Sequence, residues 1–158
     1  MKDTRTDPST EVPHSALILG LLGVIPFGWG ALTEIVPALF LFGQTWLGPR
    51  FVGQYIQLFY GAIILAFMSG VLWGFATKAT GRTATLGYGL SVLPALWAFF
   101  FTGGGADRAA WFLITGYLGL LALDYWFWRL GLAPPWWMQL RNLLTLLVVA
   151  CLTLGILF

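Results

Sequence analysis

Apolar residues in this chain come in blocks of about 20, separated by short clusters of Gly, Pro and charged residues. A helix of about 20 residues crosses the roughly 30 Å hydrocarbon core of a bilayer at about 1.5 Å per residue. The first block, HSALILGLLGVIPFGWGALTE, predicts a span over residues 14–34 with Pro13 at its start. The apolar run then resumes as IVPALFLFG, read as a tilted continuation to residue 43, kinked at Pro26 and Pro37. The alternative is a separate interfacial piece over 35–43. QTWLGPRFVGQ at 44–54 reads as a loop, and spans follow at 55–76, 86–101, 109–130 and 136–158. Asp107 is placed to N-cap the fourth, and Ser91 to satisfy part of the backbone that Pro94 leaves open in the third. The pattern predicts an all-α integral membrane protein, a single bundle of five transmembrane helices over 13–158 behind a mobile polar tail at 1–12.

Composition agrees: 59% of residues are hydrophobic and 9% charged, against about 25% charged in soluble domains. The net charge of +2 is carried by scattered residues, so no basic stripe suggests nucleic acid. The placement of those residues matters more. Lys2, Arg5, Lys78, Arg82, Arg129 and Arg141 fall on one face of the bundle, and Arg50 and Arg108 on the other. The positive-inside rule then puts the N terminus in the cytoplasm, or the matrix of an organelle, and the C terminus outside.

Asp124 and Arg141 lie equally far from the turn centred on Leu132-Ala133. If the last two spans are antiparallel, the acid and the base share one membrane depth. Charged groups inside a span are costly and are usually paired or placed in a wet cavity. The favoured reading is a staple that sets the hairpin register; the functional one is half of a polar pocket with Gln139, Asn142 and Tyr125. Glu34 is read as interfacial, or as an intramembrane acid if the first helix runs on to Phe42, and His14 as interfacial.

Ala66, Gly70 and Gly74 repeat at four-residue spacing, with Ser69 beside them. Such a stripe lets a second helix approach closely and predicts the tightest helix-packing face of the protein. Of the nine tryptophans, Trp46, Trp111, Trp126, Trp128, Trp136 and Trp137 flank span ends as interfacial belts do. Trp29, Trp73 and Trp97 lie within or toward the ends of spans and are read as packing residues before ligand residues.

With one histidine and one cysteine, the chain alone does not supply two-histidine haem ligation, an iron–sulfur cluster or a structural zinc site. No Gly-rich phosphate loop with a lysine is present, which argues against nucleotide chemistry. No Ser, Thr or Cys inside the membrane has a histidine base. The sequence therefore predicts no catalytic residue, no metal and no cofactor.

YGAIILAFMSGVLWGFA at 60–76, SVLPALWAF at 91–99, the Pro26-Phe27 pair after LLGVI, and the series Asp124, Pro135-Trp136, Leu140-Arg141, Leu144-Thr145 resemble the transmembrane protein 69-like family (domain of unknown function 3429). The likeness covers nearly the whole chain after the tail. It implies a small multi-span protein of bacteria, or of mitochondria in animals, with no established activity, and it supports the pairing of Asp124 with Arg141. Trp137 departs from the family pattern, where another aromatic such as tyrosine is expected. The five-span tryptophan-rich sensory proteins are close in length only, since their aromatic and proline pattern is not reproduced. The leading functional expectation is a non-enzymatic accessory, assembly or stabilising component of an inner-membrane complex, respiratory in one form, with a membrane-protein partner or a second copy of itself. The alternative is a binder or carrier of a small hydrophobic or anionic molecule in a pocket lined by Trp73, Trp97, Asp124 and Arg141. An ion-coupled transporter and an intramembrane enzyme rank behind both.

Overall fold

The computed structural model describes residues 10–158; the tail expected over 1–12, with Lys2 and Arg5, lies mostly outside the described residues. The described residues form helices α1 (His14–Leu22), α2 (Ile25–Ile35), α3 (Pro37–Trp46), α4 (Gly53–Ala76), α5 (Gly81–Ser91), α6 (Leu93–Phe101), α7 (Ala106–Arg129) and α8 (Trp137–Leu157), with a short 3-10 turn at Pro49–Phe51. Five helical rods are long and apolar enough to cross a membrane: His14–Ile35, Gly53–Ala76, Gly81–Phe101, Ala106–Arg129 and Trp137–Leu157. The protein is an all-helical integral membrane protein whose surroundings are a lipid bilayer. Large apolar side chains cover its outer surface, among them Phe67, Phe99, Phe100 and Leu146, as lipid contact allows.

The first span corrects the sequence reading. The helix does not run on past Glu34 to residue 43. The bulk of Pro37 disfavours helical backbone in the residue before it, and Val36 is extended at φ −116° and ψ 98°. The helix therefore ends, and α3 starts afresh with Pro37 in its first turn. Ten residues reach about 15 Å, half of a bilayer core. α3 exposes Leu41, Phe42 and Trp46 and tucks Gly43 against Val52 and Trp29. It is the separate piece that had been the alternative, and it extends to Trp46. The break between α1 and α2 is milder. Gly23 and Val24 stay in the right-handed helical region, and Pro26, lacking an N–H, interrupts the hydrogen-bond ladder without turning the chain.

The third span begins at Gly81, five residues before its expected start at 86, and is broken at Val92 ahead of Pro94. Ser91 donates to the carbonyl of Tyr88 at 2.8 Å. The N–H of Ala95 goes to Ser69 Oγ of α4 at 2.8 Å, so a neighbouring helix caps α6. Asp107 is not the N-cap of α7. That place belongs to Gly105, and Asp107 sits in the first turn, where its Oδ1 accepts from Gln54 Nε2 at 2.8 Å.

α4 is the central rod, touching α2, α5, α6, α7 and α8. Its buried side joins Phe27 of α2, Leu113, Tyr117, Leu120 and Phe127 of α7, and Val148 and Leu152 of α8 in one core. Polar side chains pin this core from within. Gln57, fully buried, donates from Nε2 to the carbonyls of Phe27 and Cys151, each at 2.9 Å, and so ties α2, α4 and α8 together. Tyr117 donates to the Gly61 carbonyl at 2.9 Å, joining α7 to α4.

The N-terminus of α4 is capped from another helix. Thr33 Oγ1 accepts from the Gly53 N–H at 2.8 Å, and Glu34 Oε1 accepts from the Gln54 N–H at 2.7 Å. The first N–H groups of a helix lack partners within it, and a carboxylate there also meets the positive end of the helix dipole. Gly53 is required at this junction: its φ is +58°, and a Cβ would fall on Glu34 Oε1. Glu34 thus serves as a cap at the end of the bundle.

Candidate functional site

The α7–α8 hairpin is built by its turn. Gly131, at φ +70°, ends α7. Its N–H donates to the Trp128 carbonyl at 2.9 Å, and the Leu132 N–H donates to the Phe127 carbonyl at 3.1 Å. This paired closure is the common way a glycine terminates a helix. Trp128 Nε1 donates to the Pro135 carbonyl at 3.1 Å and Lys78 Nζ to the Leu132 carbonyl at 3.1 Å. The turn is thereby held to α7 and to the end of α4, and α8 returns along α7 in fixed register.

That register brings Arg141 to Asp124. Arg141 Nε donates to Asp124 Oδ2 at 2.7 Å, and Trp137 Nε1 donates to Asp124 Oδ1 at 2.8 Å. Asp124 is 0% exposed and Arg141 5%. The two occupy one depth inside the bundle, as their symmetric spacing predicts. Trp137 is the third member of the group. Sequence reasoning had assigned it to the interfacial belt.

The pair leaves donors over. Arg141 Nη2 and Thr145 Oγ1 are buried without a hydrogen-bond partner among the described residues. Among the described threonines, Thr145 is the one whose buried hydroxyl oxygen goes unpartnered. Thr33, Thr45, Thr102, Thr115 and Thr153 each donate to a carbonyl three or four residues back, and Thr145 does not. Both residues line a cavity of about 340 Å³. Gly20, Gly23 and Phe27 close it at the α1–α2 break, Tyr60 and Met68 from α4, and Tyr117 from α7. Interrupted backbone in a membrane is tolerated where it is buried or lines a cavity, and the volume is at the small end of the roughly 300–1,000 Å³ of ligand pockets. Among the described residues no group of three or more His, Cys, Asp or Glu side chains stands together to hold a metal ion.

The other residues expected at the site are elsewhere. Trp73 is 48% exposed on α4, its ring 4.7 Å from that of Tyr88. Trp97 donates to the Phe112 carbonyl at 2.7 Å and lies against Phe101; it borders a different cavity, with Gly116 and Leu123. A single pocket lined by Trp73, Trp97, Asp124 and Arg141 is therefore not what the fold builds, because Trp73 faces outward on α4 and Trp97 lies against α7 beside a cavity that Arg141 does not line. Gln139, Asn142 and Tyr125 are exposed and do not join the cavity.

Ala66, Gly70 and Gly74 are also exposed, and a Cβ added at Gly70 or Gly74 would meet nothing within 4 Å. The stripe points to the lipid side, because the side of α4 carrying Leu65, Met68, Ser69, Leu72 and Ala76 is the one that packs inward. The tight approaches within this chain are at other glycines. A Cβ at Gly30 would lie 2.5 Å from Gln57 Cγ, and one at Gly116 would lie 2.7 Å from Leu65 Cδ2. At Gly155 it would fall on Gln57 Oε1. The missed residues Gln57, Gln54 and Thr33 had one signal in the sequence: each is a polar side chain within or at the start of an apolar span, a position that usually needs a partner on another helix.

Comparison with known proteins places the chain. The family model described as "Protein of unknown function (DUF3429)" matches residues 12–157. Transmembrane protein 69 of Xenopus tropicalis is 35% identical over 143 residues, which are 88% of this chain and 52% of that protein. The chain thus spans about half the length of that relative. No solved structure matches it. With a family match over almost all its length and five apolar spans in one bundle, the chain, itself similar to transmembrane protein 69, belongs to the DUF3429 family.

Proposed function

We propose that this is a non-enzymatic protein of a bacterial or mitochondrial inner membrane that holds a small, largely apolar molecule in the cavity beside Arg141. The observation that carries this reading is the pair of buried, unpartnered polar atoms, Arg141 Nη2 and Thr145 Oγ1, on residues lining that cavity. Leaving a buried polar group unpaired costs about 1–3 kcal/mol. A ligand that supplies the missing partner recovers that cost on binding. Asp124 and Trp137 position the guanidinium, and the aromatic and aliphatic lining holds the rest of the molecule. Native mass spectrometry of the protein released from its own membrane tests this. Reproducible retention of a small molecule, lost in Arg141→Met, is expected; a wild-type protein that retains nothing sinks it.

A second reading, accessory or assembly partner of a larger membrane complex, is favoured by a separate observation. The exposed Ala66, Gly70 and Gly74 stripe has the shape that admits another helix at close range. That helix belongs to another protein or to a second copy. Affinity purification in mild detergent tests it: a reproducible partner or dimer lost on Gly70→Leu supports it, and a pure monomer counts against it. In either reading the N terminus faces the cytoplasm or matrix, which reporter fusions at the two termini check.

A further inference from the structure

We infer that the group bound at Arg141 and Thr145 is a neutral carbonyl, carried on a planar ring or an ester with an apolar tail, and not a carboxylate or phosphate. This rests on the ligand-binding reading above and narrows it. Charge supplies the first argument. The Arg141 guanidinium is already matched by the Asp124 carboxylate at 2.7 Å, and both are buried. A second anion would leave a net negative charge among Val148, Leu144, Phe27 and Met68 of the lining, where the membrane interior disfavours it. A neutral ligand leaves the pair balanced.

Donor chemistry supplies the second. Arg141 Nη2 donates only, and the Thr145 hydroxyl can donate to any acceptor brought to it. The two residues are four apart on α8, so they stand one above the other on the same side of the helix. Two donors so placed suit one carbonyl oxygen, or two on one small head. The third argument is shape. Gly20 and Gly23 present no side chain, and the rings of Phe27, Tyr60, Phe67 and Tyr117 contribute walls, an outline suited to a flat head. An isoprenoid quinone offers such a head with an apolar tail; a diacylglycerol offers the same carbonyl chemistry on an ester.

The test uses the full chain in phosphatidylcholine nanodiscs with three probes: decylubiquinone, dioleoylglycerol and oleate. Native mass spectrometry reads retention, and a titrated shift in the thermal midpoint reads apparent Kd. The neutral probes are expected to bind ahead of oleate, with the preferred one identifying the ring or the ester as the source. Thr145→Val should weaken that binding about tenfold, the scale of one hydrogen bond, and Thr145→Ser should restore it. The ligand-free midpoint of Thr145→Val should not fall, because Thr145 Oγ1 has no partner to lose. Oleate bound ahead of both neutral probes, or neutral binding unchanged in Thr145→Val, overturns the inference while leaving the ligand-binding reading in place. Retention of none of the three, from a protein that also carries nothing out of its own membrane, overturns both.

Discussion

Replacing Arg141 by methionine leaves the Asp124 carboxylate buried with Trp137 Nε1 as its one remaining donor, since the 2.7 Å bond to Arg141 Nε is gone. Removing one member of a buried ion pair typically costs about 3–5 kcal/mol, because the other is left uncompensated. Asp124→Leu should cost a similar amount, with the cation stranded instead. The double variant Asp124→Leu with Arg141→Met removes both charges together. It leaves only Trp137 Nε1 without its acceptor, a loss of about 1–2 kcal/mol. The double variant should therefore be more stable than either single variant, with a coupling energy of about 3 kcal/mol or more. Unfolding in mixed micelles by titrated dodecyl sulfate, followed by tryptophan fluorescence, measures all four proteins. If the two single losses add to within about 0.5 kcal/mol of the double, the pair is not coupled and the reasoning fails. The exchange Asp124→Arg with Arg141→Asp would not restore the wild-type stability, because the new arginine would face the Trp137 N–H with a donor of its own.

Gly155→Ala puts a methyl on Gln57 Oε1 and should destabilise the bundle by about 1–3 kcal/mol. Gly74→Ala, with open space around it, should stay within about 0.5 kcal/mol of wild type in the same unfolding assay; equal losses at the two sites would refute the assignment of inner and outer faces. Thr33→Val removes the acceptor for the Gly53 N–H and should cost about 1–2 kcal/mol. Hydrogen exchange should then quicken at Gly53 before it does in the middle of α4, and unchanged protection there would show that the cap does not hold this end.

The five spans and the Asp124–Arg141 register were legible because each rests on a property of the chain itself: apolar length for the spans, equal distance from a Pro-rich turn for the pair. The features that were missed depend on which way a helix is turned. Four-residue spacing at Ala66, Gly70 and Gly74 shows that they share one side of α4, but only the packing of Leu65, Leu72 and Ala76 decides that this side faces out. Trp73 and Trp97 share a span-interior setting and end at different places for the same reason. The end of the first span was legible in principle: Pro37 dictates an extended Val36, and a ten-residue remnant is too short to cross. The cavity itself has no linear signature, since it draws on α1, α2, α4, α7 and α8 at once.

Gln57 also bears on the order in which the bundle is completed. It bonds to Phe27 from an early helix and to Cys151 from the last span, while Gln54 donates to the carbonyl of Gly155 in that same last span. During synthesis α2 and α4 enter the membrane well before α8, so for that interval each glutamine amide lacks one of its two acceptors, Gln57 keeping only Phe27 and Gln54 waiting for Gly155 beside Asp107. For the fully buried Gln57 an unmet N–H inside hydrocarbon is costly. Insertion of the final span supplies the missing acceptors in one step and closes the fold against the first span, which makes α8 the latch of the assembly as well as the bearer of Arg141.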